Sequence, residues 1–149
     1  MKNHRLEYLS WTAQIVAAII LAQTLFFKFT AAPESVVLFT KLGVEPFGRI
    51  GAGMMELITV ILLLIPRRAW LGAIFGIMTM GGAIMAHLTI LGIESNGDGG
   101  YLFFLASITL TCCLTVAYIH KSNIFAQIDR KSTRLNSSHD LASRMPSSA

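Results

Sequence analysis

Four runs of apolar residues, each long enough to cross a lipid bilayer, constrain this chain more than any other feature of its sequence. They cover Ser10 to Phe29, Gly48 to Ile65, Ala69 to Leu91 and Tyr101 to Ile119, each bounded by charged or turn-forming residues. A helix rises about 1.5 Å per residue, so each run matches a hydrocarbon layer roughly 30 Å thick. Backbone polar groups inside hydrocarbon must bond within their own segment, which makes each run a helix. The prediction is an all-α protein, a bundle of four transmembrane helices. Composition agrees: 54% of the residues are hydrophobic, only 13% are charged, and the mean hydropathy is +0.62, outside the balance of a soluble domain.

The connections set the topology. Pro66-Arg67-Arg68 is a tight positive turn between the second and third runs, and "ESNGDGG", Glu94 to Gly100, is an acidic, glycine-rich turn before the fourth. That loop lacks the ligand spacing and closing glutamate of a calcium loop. The longer link from Thr30 to Phe47 opens on Pro-Glu and carries Val36, Val37, Leu38, Phe39 and Leu42. This pattern predicts a short amphipathic helix at the membrane surface between the first and second spans. Lys2 and Arg5 before the first run would suit a signal peptide, but the run is long and no A-x-A site precedes Lys28, so the first span is expected to be retained. With both termini on the cytoplasmic side, Lys2, Arg5, Arg67, Arg68 and Lys121 lie inside, and Lys28, Lys41 and Arg49 outside. The bias favours that orientation.

The last segment does not belong with the rest. Asp129 to His139, "DRKSTRLNSSH", reads as the translation of a common sequencing-library adapter, and Ser143 to Ala149, "SRMPSSA", continues it in frame after an index-length gap, Asp140 to Ala142. Residues 129–149 are therefore set aside as a non-native, disordered tail beside a membrane domain of residues 1–128, and the natural C-terminus is expected to be missing. The tail supplies half of the formal charge of +4, leaving eight basic and six acidic residues. Such a balance gives no nucleic-acid surface.

Within the second run, "RIGAGMMELITVILLLIPRR" holds one acid, Glu56. A charge near the centre of a span costs roughly 2.5 to 3.5 kcal/mol, so this carboxylate needs a partner or a purpose. Arg49, Ala52, Gly53, Glu56, Thr59 and Val60 share one helical face, and its small residues predict that Glu56 points into the bundle. The topology brings Lys28 at the end of the first span, Arg49 at the start of the second and His87, one turn before the end of the third, to the same outer half. Glu56, His87, Lys28 and Arg49 form the candidate intramembrane polar cluster. Each has a plain alternative: Lys28 and Arg49 as interfacial anchors, His87 as a hydrogen-bonded core histidine, Glu56 in an ion pair with Arg49 or Lys28. The inner half has no comparable group, only Gln14 and a Ser107, Thr111, Thr115 row read as bonding to carbonyls one turn earlier. Gly72 and Gly76 form a G-x-x-x-G packing motif. The adjacent Cys112 and Cys113 have no metal or redox spacing. No catalytic or metal-ligating motif is present.

"FFKFT", "FTKLGVEPFGRIGAGMMELITVILLLIPRRAWLGAI" and "MGGAIMAHL" resemble the DoxX family of small four-helix bacterial membrane proteins, over about Ser10 to Ile119. The matching positions are Lys28, the Leu42, Gly43 and Pro46 element, Glu56 and Ala86-His87; the cysteine pair matches no family element. The resemblance implies a bacterial inner (plasma) membrane protein. Family relatives include a subunit of a thiosulfate:quinone oxidoreductase, so the expected role is an accessory subunit of a quinone-linked redox complex, with catalysis in a partner subunit. The expected partners are the lipid bilayer, redox subunits and a quinone bound near Glu56 and His87. The competing expectation is a non-enzymatic assembly protein in which Glu56 locks the bundle.

Overall fold

The computed structural model describes residues 4–122, so the tail and the position of Lys2 lie outside the described residues. Five α-helices follow one another: α1, His4–Phe29; α2, Pro33–Lys41; α3, Phe47–Leu64; α4, Ala69–Ala86; and α5, Tyr101–Ile119, with a π-helical turn, His87–Leu91, continuing α4. No strand occurs among the described residues. Four of these helices are long and apolar enough to cross a membrane: α1, α3, α4 with its π turn, and α5. They close a ring in the order α1, α3, α4, α5, each packed on its two ring neighbours. The expected four-helix bundle is thus present, with the first helix starting earlier than its apolar run.

In a bilayer the lipid is as apolar as leucine, so helices associate by close packing and interhelical bonds, not by hiding hydrophobic surface. The sequence meets that requirement with small residues on the inward faces. On α1 the buried positions include Ser10, Ala13, Gln14, Ala17 and Leu21, one stripe at helical spacing. Large side chains such as Ile19, Phe26, Met85 and Phe104 lie exposed on the outside as the lipid-facing belt. On α3, Arg49, Gly53, Glu56, Thr59 and Leu63 are buried, which is the inward face expected from the sequence.

Gly72 and Gly76 fix the register of α4. A Cβ on Gly72 would lie 2.6 Å from the Leu63 backbone nitrogen, and one on Gly76 would collide with Cys113 Sγ and crowd Thr59. The motif is therefore packing: its first glycine receives α3, and its second receives α3 and α5. Cys113, wholly buried and free, is the small side chain that fills this contact.

The bundle has two ends. The terminal end holds the start of α1, the α3–α4 turn and the finish of α5; the far end holds α2 and the loop of residues 92–100. The sequence places α2 correctly, with Pro33 in its first turn. It does more than float at a surface: it packs on α1, α3 and the π turn, and Lys41 Nζ donates to Asn96 Oδ1 at 2.8 Å, strapping it to the opposite loop.

Candidate functional site

Under α2 the bundle holds a partly open cavity of about 620 Å³ between α1, α3, α4 and α5, within the range of small-molecule sites. Much of its wall is apolar, with Leu21, Met55, Met80 and Leu105 among its residues, and polar groups stand on two sides: Thr24, Lys28 and Glu56 from α1 and α3, and His87 and Ser95 from the π turn and the following loop.

Glu56 projects inward because its neighbours on that face, Ala52 and Gly53, allow α1 to approach α3; a Cβ on Gly53 would stand 3.1 Å from Phe29 and 3.6 Å from Lys28. Lys28 Nζ lies 2.9 Å from both carboxylate oxygens, with side-chain exposures of 14% for Lys28 and 6% for Glu56. This is a two-pronged ion pair, buried at Glu56 and partly buried at Lys28, and the ammonium keeps one further N–H. The Thr24 hydroxyl sits 3.1 Å from Glu56 Oε2 and 2.9 Å from the Leu21 carbonyl. Having one proton, it donates to one of them at a time.

Arg49 does not join this group. The structure resolves the two partners offered by the sequence in favour of Lys28, and places Arg49 outside the cavity wall. Its Nε donates to Glu45 Oε1 at 2.8 Å, and its guanidinium also donates to the Lys28 carbonyl, which closes the last turn of α1. The reason is reach. Arg49 and Glu56 share a face but are two helical turns apart, and side chains on a helix lean towards its N-terminus, so Arg49 turns to Glu45, away from Glu56.

His87, from the π turn, also lines the cavity and is only 5% exposed. The π turn widens the helix here, a feature often found at functional sites. Nδ1 lies 2.9 Å from the Gly92 carbonyl, and because a carbonyl only accepts, Nδ1 carries a proton. The ring meets Phe103 edge-on at 5.9 Å. Nε2 has no protein partner among the described residues, so it accepts a bond when the ring is neutral and donates one when the ring is charged. The buried Ser95 hydroxyl likewise has no partner.

Asp98, which the sequence pattern shows only as part of a turn, is a structural residue. Gly100, the N-cap of α5, has φ of 83° and no side chain to offer; Asp98 instead accepts from the N–H groups of Ser95, Gly100 and Leu102 at 2.9 to 3.0 Å, satisfying donors that the helix start leaves open. Burial pushes its carboxyl up, but the Leu102, Ser95 and Gly100 N–H groups, and then the charge of His87, together hold it below its ordinary value.

At the terminal end the structure adds a group that the sequence pattern does not reveal. Gln14 Nε2 donates to Ser10 Oγ at 2.7 Å, and Ser10 Oγ lies 3.0 Å from His120 Nε2, tying α1 to the end of α5. Burial lowers the His120 imidazole below its ordinary value. The Ser107, Thr111 and Thr115 hydroxyls bond to carbonyls one turn earlier, as the sequence suggests. Among the described residues no group of three or more His, Cys, Asp or Glu side chains could hold a metal ion.

Fold and site together define a multi-pass integral membrane protein whose bundle is packed at one end and hollow at the other, where a largely apolar cavity carries a few polar groups. Compared with family models, curated proteins and solved structures, the chain finds no match.

Proposed function

We propose that this protein binds a quinone in its far-end cavity and serves as an accessory subunit of a membrane redox complex, with electron transfer carried by a partner. The observation that supports this most directly is the cavity itself: about 620 Å³, largely apolar, with Lys28 and Glu56 among its lining residues and His87 bearing an unpartnered ring nitrogen. A quinone head needs an apolar slot with few polar groups at its oxygens. The third Lys28 N–H is a donor for one carbonyl. His87 Nε2 suits either form of the ligand, accepting from a quinol hydroxyl when neutral and donating to a quinone carbonyl when charged. The resemblance to the DoxX family, through Lys28, Gly43, Pro46, Glu56 and His87, favours the same reading and, with it, a location in a bacterial inner membrane. The Lys and Arg bias then puts both termini in the cytoplasm and the cavity towards the opposite face.

The test is extraction of ligand from protein purified in native lipid. Quinone should accompany the wild-type protein and fall in Glu56→Gln and His87→Leu. No quinone with wild type, or equal amounts in all three, would overturn the proposal.

A second reading draws on a specific feature: both Glu56 oxygens are already held by Lys28. In an assembly protein this pair only locks α1 to α3, and crosslinking in native membranes would capture the same partner from wild type and Glu56→Gln whether or not quinone is present.

A further inference from the structure

Glycines in membrane helices usually mark close packing, and Gly72 and Gly76 do so here. Gly51 and Gly82 behave differently. Both are exposed, both line the cavity, and a Cβ added to either would find nothing within 4 Å. No packing need excludes a side chain at these positions. The antiparallel register of α3 and α4, set by Gly72 on Leu63 and Gly76 on Thr59, brings Gly51 and Gly82 within one helical turn of the same level when carried further along the pair. The α3–α4 seam is thus tight at the terminal end and bare where it meets the cavity. The lipid-facing positions beside it, Met54, Met78 and Met85, are flexible side chains that adapt to whatever lies against them. The α1–α5 seam differs at this level, because Gln23 Nε2 donates to the Tyr101 hydroxyl across it at 3.5 Å.

We infer that the gap between Gly51 on α3 and Gly82 on α4 is a lateral portal, through which the isoprenoid tail of a quinone leaves the cavity for the bilayer while its head stays between Glu56 and His87. This rests on the quinone reading above and adds the class of ligand: a head group with a long hydrocarbon tail, entering from the membrane and not from water. Two independent features point to the occupant. The buried His87 ring presents a nitrogen without a partner among the described residues to the same cavity, which calls for a polar head, and the exposed, cavity-lining Gly51 and Gly82 lie beside the exposed apolar Met54, Met78 and Met85, which calls for an apolar tail. Glycine is the residue that lets a chain pass close to the backbone on both sides.

The test uses the full protein in vesicles containing either a benzoquinone or a phospholipid whose tail carries a diazirine, irradiated and mapped by mass spectrometry. With wild type, the quinone tail should label Gly51, Met54 and Gly82 peptides, and the label should disappear in Gly51→Leu and Gly82→Leu. Gly82→Ala, whose methyl group meets open space, should keep it. Unchanged thermal unfolding of the leucine variants shows that the loss is not misfolding. Labelling that persists in both leucine variants, or absence of label at these residues from either probe, overturns the portal. Labelling at these residues by the phospholipid alone, abolished by the same substitutions, overturns the quinone as occupant and the proposed function with it, but leaves the opening established. Quinone found in the purified protein with no portal label would instead overturn the portal and spare the proposed function.

Discussion

The two ends of the bundle are built from similar residues to opposite effect. At the terminal end Leu63, Ala73, Cys113 and Val116 are wholly buried, and Gly72 and Gly76 draw α3 and α5 onto α4 until no room is left for a methyl group. At the far end Gly51 and Gly82 line an open cavity, and the walls carry a lysine, a glutamate and a histidine. Small residues therefore do not decide whether membrane helices close; what decides is whether a partner backbone is in register to fill the space. The difference also shows where charge is tolerated. A charge in hydrocarbon needs a partner within reach and a polar neighbourhood, and among the described residues the ion pairs lie at the far end.

Breaking the ion pair should have the largest effect. Glu56→Leu leaves Lys28 unpaired in a partly buried setting and should cost about 3 kcal/mol, the lower end for such losses because the lysine stem can reach towards the interface. The double variant Lys28→Met with Glu56→Leu should recover most of it, as read by thermal unfolding in detergent. If the double variant is as weak as the single, the pair is not the source of the loss.

The glycines should separate the two ends next. Gly72→Ala drives a methyl group into the α3 backbone and should cost about 1 to 3 kcal/mol, whereas Gly82→Ala should be neutral or raise stability by up to about 1 kcal/mol through helix propensity. Equal effects at both positions would erase the contrast between a packed and an open seam.

Asp98→Ala removes the cap of α5 and should cost about 1 kcal/mol. The wild-type contribution also depends on pH. The folded value is lowered, so the stabilisation is complete above the ordinary value of 3.8 and is lost as pH falls below it. Acid unfolding of Asp98→Asn should lack that component.

The smallest effect lies at the terminal end. His120 is held below its ordinary value of 6.5 by burial, so the unfolded chain takes up its proton first. Its contribution is complete above 6.5 and is lost as pH falls from there through the lowered folded value. Melting temperatures of His120→Gln should vary less with pH than those of wild type between pH 5 and 7, a window set by the ordinary histidine value.

Much of this arrangement is legible in the chain alone. Hydropathy locates four spans to within a few residues except at the start of α1, because a bilayer penalises polar residues wherever they fall. The small-residue face around Glu56 correctly turns it inward. Its partner is not legible: Arg49 and Lys28 are equal candidates on charge, and the choice depends on axial distance and the lean of side chains along α3. His120 gives no signal because it follows the last span as one polar residue among several, and its partner Ser10 is 110 positions away. Asp98 looks like turn chemistry because its ladder of N–H groups forms only when the glycines around it take positive φ.

By itself the sequence determined that this chain forms four membrane-spanning helices with a surface helix between the first two, and that one acid faces inward. Those features follow from the solvent, since the cost of polarity in hydrocarbon acts on each residue locally. Only the tertiary structure decided that Glu56 pairs with Lys28, that His87 lines the same cavity, and that Gly72 and Gly76 pack while Gly51 and Gly82 stand open. Such outcomes depend on helix register and on which side chain reaches which, and register belongs to pairs of helices, not to any one segment.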